Sequence, residues 1–208
     1  MITGFDFILA PIYLMIIYFF MYQLRKKVTT KETRRYFFIA LNLKMVGALM
    51  LCFIFYYYYG YGDTLLYHEL SMYLYHAFIL RPEAWFNLVF LPIADYGWET
   101  NMYVAGNVFY LRPDPSTYFV IRVAGFFSIF CDNSYLVLSM IFGVISFFGA
   151  WAMFITFTNM YPMLIKQFAI AVFYLPSVFF WGSGLMKDSL CFGALGLTFY
   201  GFYYTVIK

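Results

Sequence analysis

Two groups of residues in this chain carry side chains suited to chemistry. The first is Tyr61-Gly62-Asp63, followed by Tyr67, His68 and Glu69. The second is Trp181-Gly182-Ser183-Gly184, followed by the adjacent pair Lys187-Asp188. Asp63 follows two glycines that let the backbone turn sharply. A carboxylate there could take a proton from an acceptor hydroxyl, or hold a divalent cation that bridges a phosphate. It could also cap a helix and do no chemistry. A lysine such as Lys187 can hold a phosphate as a point charge. Set against that is a solvated turn whose charges only mark topology.

Other constellations are weaker. Glu69, Tyr73 and His76 are spaced to share one helix face, which could line a groove or simply be wet. The spacing His-Glu-x6-His of His68, Glu69 and His76 fits no metalloprotease pattern, so no zinc site is expected. No Walker loop, dinucleotide fingerprint or serine-nucleophile elbow is present. Cys52, Cys131 and Cys191 are scattered through apolar stretches without a CxxC spacing and read as inert thiols.

The elements that must position these residues are membrane spans. The chain is 64% hydrophobic with a mean hydropathy of +0.76, and only 11% of it is charged. Soluble domains carry about 25% charged residues. The net charge of +3 leaves no nucleic-acid footprint. The start of the chain lacks the basic lead of a cleavable signal, its first charge being Asp6.

The apolar pattern predicts an all-α, polytopic transmembrane bundle, a single integral membrane domain over residues 1–208 with about five spans. These run roughly Phe7–Tyr22, Tyr36–Tyr59, Tyr135–Phe157, Met163–Trp181 and Leu190–Ile207. A sixth exists if Tyr118–Phe130 crosses. Between the first two spans lie Arg25, Lys26, Lys27, Lys31, Arg34 and Arg35 against one acid, Glu32. That excess predicts a cytoplasmic loop over 23–35 and an N-terminus outside. Lys44, about two turns into the second span, can snorkel to the headgroups or pair inside the bundle.

Residues 60–133 then form a long extracytoplasmic loop whose charges are mostly acidic. Within it, Leu65–Leu80 reads as an amphipathic helix lying in the membrane plane, opened by Asp63-Thr64 as its cap. Trp85–Ala94 and Tyr118–Phe130 suit interfacial or re-entrant helices. Arg112-Pro113-Asp114-Pro115-Ser116 is the clearest break. The chain ends directly after an apolar run, which reads as the N-terminal part of a larger protein.

The pattern Leu175-Pro176-Ser177-x-x-Phe180-Trp181-x-Ser183-Gly184-x-x-Lys187-Asp188, with Tyr61-Gly62-Asp63-x-x-x-Tyr67 upstream, resembles bacterial GT-C-type glycosyltransferases and the related surface-polysaccharide polymerases. The resemblance covers these two motifs and the topology. It implies a multi-pass protein of the bacterial inner membrane, a polyprenyl-phosphate sugar as donor, and a catalytic carboxylate in the first outer loop. On this sequence that role falls to Asp63, with Glu69 second. Donor-phosphate binding falls near Lys187, with Asp188, Ser183, Trp181, His68 and Tyr67 as further substrate contacts. The chain is shorter than such enzymes normally are.

Two other functions fit. One is a non-catalytic multi-pass subunit of a secretion, polysaccharide-export or motility complex, with aromatic faces turned to lipid or to membrane-protein partners. The other is a transporter, which fits less well because spans three to five carry no ionisable residue at mid-depth.

Overall fold

The computed structural model describes residues 2–92, 95–96, 98, 100 and 114–207. The described residues are helical or in turns, without strands. Helix α1 is Gly4–Val28 and α2 is Arg34–Phe53, which continues through a π-helical turn, Ile54–Tyr59. Then come α3 (Asp63–Leu80), α4 (Pro82–Phe90), α5 (Pro115–Ser128) and α6 (Tyr135–Met160). A 3-10 turn, Pro162–Leu164, leads into α7 (Ile165–Ala169) and a second π turn, Ile170–Tyr174. Helix α8 is Pro176–Trp181, and α9 is Lys187–Phe202 with a π-helical end, Tyr203–Ile207.

Among the described residues, four helical stretches are long and apolar enough to cross a membrane: Gly4–Val28, Arg34–Tyr59, Tyr135–Met160 and Lys187–Ile207. Helix α6 is their axis. Its most apolar window is 72% buried, against 6% for α1 and 11% for α9, so the outer two present most of their surface to the surroundings. Phe37, Phe147, Trp151, Phe154 and Phe173 pack edge-on and stacked between α2, α6 and the turn after α7. Aromatic pairs of this kind add roughly 0.5–1.5 kcal/mol each beyond the area they bury.

Helices α6 and α9 make the most extensive contact among the described elements. The sequence permits this through glycine. A side chain on Gly149 would overlap the backbone of Gly193, and one on Gly196 would overlap the Gly149 carbonyl. Small residues let apolar helix backbones meet where a hydrophobic driving force between them is absent.

The expected fourth span, Met163–Trp181, is not one helix. Leu175 is extended and Pro176 opens a new helix, α8, so the apolar run is cut in two. Only Pro162–Tyr174 remains as a short apolar helix. Proline lacks the N–H that would continue the ladder and pushes the residue before it out of helical conformation. Lys44 meets the far end of the new helix. It lies ten residues into α2, about 15 Å along the axis, a distance equal to half a bilayer core. It is 1% exposed, and it does not reach the headgroups. Its Nζ donates to the Val178 carbonyl at 3.1 Å and the Gly182 carbonyl at 2.8 Å, with the Phe192 ring 4.8 Å away. Ser146 Oγ donates to the same Gly182 oxygen. Helix α8 therefore ends against the middle of α2 with carbonyls of its last turn satisfied by an amine and a hydroxyl.

Helices α3, α4 and α5 pack on one another around Leu70, Leu74, Ala77, Leu88, Ile121 and Ala124. Their core is continuous with that of the bundle. Glu69 and His76 are exposed on α3, and Tyr73 is half-buried. Residues 93–94 and 112–113, at the ends of two expected elements, lie outside the described residues.

Candidate functional site

The site is built from the starts of three helices. Helix α3 begins at Asp63 because Gly62, at φ 128, turns the chain in a conformation L side chains avoid. Gly62 is thus the cap position, and the expected Asp63-Thr64 cap does not form. Among the described residues the Asp63 carboxylate accepts no hydrogen bond, and it is exposed at the first helical position. Negative charge suits this positive end of the helix.

Helix α5 begins after Asp114, which does cap. Its Oδ1 accepts from the backbone N–H groups of Ser116 and Thr117 at 3.1 and 3.2 Å and from Ser116 Oγ at 2.6 Å, and its Oδ2 accepts from Thr117 Oγ1. These bonds, with nearby Lys187, hold the carboxyl well below the usual carboxylate range. Pro115 sits at the first helical position, where its missing N–H costs nothing.

Helix α9 begins at Lys187. Its Nζ lies 3.5 Å from Asp114 Oδ2 and donates to Ser116 Oγ at 3.0 Å. Asp188 follows, exposed. Tyr67 closes the group from below. It is 1% exposed, with Thr117 beside its phenol. Burial and then the Asp63 carboxylate, with Asp114 and Asp188 adding, push the phenol up to about 12. One tyrosine thus feels three carboxylates that are far apart in sequence, and the ammonium of Lys187 is held on one of them.

The structure therefore brings Asp63, Tyr67, Lys187 and Asp188 into one neighbourhood. It adds Asp114, Ser116 and Thr117, which the sequence pattern presents only as part of a turn. The signal was there: Asp-Pro-Ser-Thr is a capping residue followed by proline at the first helical position. Glu69 lies farther along α3 with its side chain exposed. Ser183 is buried, donates to the Phe179 carbonyl, and sits in the α8–α9 turn against Gly47 and Gly143. Trp181 is half-exposed at the end of α8, packed edge-on to Phe180. These last two belong to the end of α8 and the turn after it. Among the described residues no three His, Cys, Asp or Glu side chains converge to hold a metal ion.

His68 stands behind the site as a support. Its Nε2 meets the Asn133 carbonyl at 2.8 Å, which requires the proton on that nitrogen. Ser71 Oγ donates to Asn133 Oδ1 at 2.8 Å, and Ser134 Oγ donates to the buried Asp6. Together they fix Asp132 and Asn133, both at φ 50, where asparagine and aspartate are among the few side chains tolerated. Burial pushes His68 down to about 4. Neutral His68 is thus favoured in the fold, so the stability it contributes is complete above about pH 6.5 and is lost as pH falls toward 4. The expected loss is about 3 kcal/mol at most. Thermal denaturation in detergent across this window should show it, and His68→Gln should flatten that part of the profile. Parallel profiles for the two proteins would refute the assignment.

The chain matches no family model, and comparison with curated proteins and with solved structures finds no match.

Proposed function

We propose that this is a membrane glycosyltransferase-like protein that moves a sugar from a polyprenyl-phosphate donor to an acceptor on the outer side of the bacterial inner membrane. The observation that carries the reading is that Lys187 is held on Asp114, one of three carboxylates, with Asp63 and Asp188, that act on Tyr67. A lipid phosphate is already a good leaving group, so the demands are modest. The protein must hold the phosphate, place the acceptor and accept one proton.

Each residue then has a role. Lys187, presented by Asp114 and Ser116, meets the donor phosphate. Asp63, to which no described residue donates a hydrogen bond, takes the acceptor hydroxyl proton as the glycosidic bond forms. Asp188 and Tyr67 border the acceptor side. Exposed Tyr58 and Tyr61 beside Asp63 offer aromatic faces to sugar rings. The N-terminus and this cluster lie outside, and the basic loop over 23–35 is cytoplasmic. The basic residues between α1 and α2 support that orientation.

The test is Asp63→Asn, which keeps the shape and removes the base. Transfer from a radiolabelled polyprenyl-phosphate sugar to extracted envelope glycan should fall about 100-fold or more. Insertion and thermal stability should be unchanged, because the side chain is exposed and holds no described neighbour. Wild-type transfer by Asp63→Asn would give the lead to the non-catalytic subunit.

A further inference from the structure

A second site lies at the opposite end of the bundle, and the transfer reading does not use it. A cavity of about 790 Å³ opens between the α1–α2 loop, the far half of α6 and the end of α9. That falls in the roughly 300–1,000 Å³ range of ligand cavities. Its two halves differ in chemistry. The mouth carries two lysines, Lys27 and Lys31, against one acid, Glu32, and the wall is Phe148, Trp151, Ile155 and Leu197. The loop is tied down over the wall, since Trp151 Nε1 donates to the Val28 carbonyl at 3.3 Å.

Glu32 stands at the same mouth, but among the described residues no carboxylate lies within ion-pair distance of either lysine. Lys27 and Lys31 are exposed, and neither makes an ion pair there. Arg25 and Arg35 spend hydrogen bonds on the Arg34 carbonyl and the Tyr36 hydroxyl, and meet no described carboxylate either. The wall belongs to helices that are long and apolar enough to cross a membrane. A cationic mouth over an apolar wall at membrane depth is the complement of an anionic amphiphile.

We infer that this cavity binds an anionic phospholipid, its phosphate between Lys27 and Lys31 and one acyl chain along Phe148, Ile155 and Leu197. A soluble phosphate would use the mouth and leave the wall empty. A zwitterionic lipid would fill the wall and leave the lysines without net counter-charge.

The test uses the whole chain in nanodiscs of phosphatidylcholine containing a minority of phosphatidylglycerol. After repurification in detergent, mass spectrometry reads the retained lipid. Wild type should retain phosphatidylglycerol in clear excess over its share. The double variant Lys27→Gln/Lys31→Gln should lose about 25-fold of that preference, about fivefold per lysine. Leu197→Trp, at a half-exposed position on the wall, should reduce retention by occupying the chain's path. Lys166→Gln, an exposed lysine that does not line the cavity, should change nothing. If the double variant does not fold, Leu197→Trp against Lys166→Gln carries the decision. Equal retention of both lipids by wild type would overturn the inference, as would an equal loss in Lys166→Gln. Protection of thermal stability by glycerol phosphate as strong as that by phosphatidylglycerol would also overturn it.

Discussion

Lys44→Met should destabilise the protein by about 2–5 kcal/mol. Two carbonyls are at stake. Val178 loses a donor to its oxygen, and Gly182 loses one and keeps Ser146. A buried polar group left unpaired costs roughly 1–3 kcal/mol. Inside a bilayer core neither water nor lipid can replace the donor. The opposing term is relief from burying a cation, and replacing a buried ion pair by apolar groups is often neutral. Here it does not win, because the acceptors are main-chain oxygens of a helix end and cannot be removed with the lysine. Lys44→Arg tests the geometry separately. Its guanidinium can donate to both oxygens but is bulkier, and a side chain on Gly182 would already crowd the Lys44 Nζ. Thermal melts of the three proteins in one detergent decide the matter. A Lys44→Met protein as stable as wild type would show that the turn is not held this way.

Gly196→Val should be at least as severe. A Cβ on Gly196 would overlap the Gly149 carbonyl, and main chain cannot rotate away as a side chain can. The most extensive helix pair would have to separate, so the cost should reach or exceed the top of the roughly 1–3 kcal/mol range for overpacking. Gly201→Val is the control, since nothing lies within 4 Å of that site. It carries the same loss of glycine in the same helix. Comparable melting of the two variants would place the weakness in helix propensity and not in the crossing.

Hydropathy made the all-helical class and the helices of bilayer length legible, because apolar runs of that length have few other uses. It did not show the break in the fourth apolar run. Leu175-Pro176 interrupts a stretch that stays apolar on both sides, and a window average is blind to one missing N–H. Lys44 stood out as an ionisable residue inside a span, but its acceptors lie more than 130 residues away on another helix. Nothing local to residue 44 points to them. The Gly149–Gly193–Gly196 crossing was hidden for the same reason. At the candidate site, Asp63 and Lys187 stand out by their neighbours in sequence, glycines and aromatics that mark a turn. Asp114 does not, because its role depends on α9 arriving beside α5, which is a property of the bundle.

An amine held halfway along a membrane-length helix has an electrical consequence whenever it is protonated. A charge moved through the whole bilayer exchanges about 2.3 kcal/mol with each 100 mV of membrane potential. Lys44 lies about 15 Å along a stretch long enough to cross a bilayer, so a rearrangement that carried its protonated amine to either surface would work with or against roughly half of that.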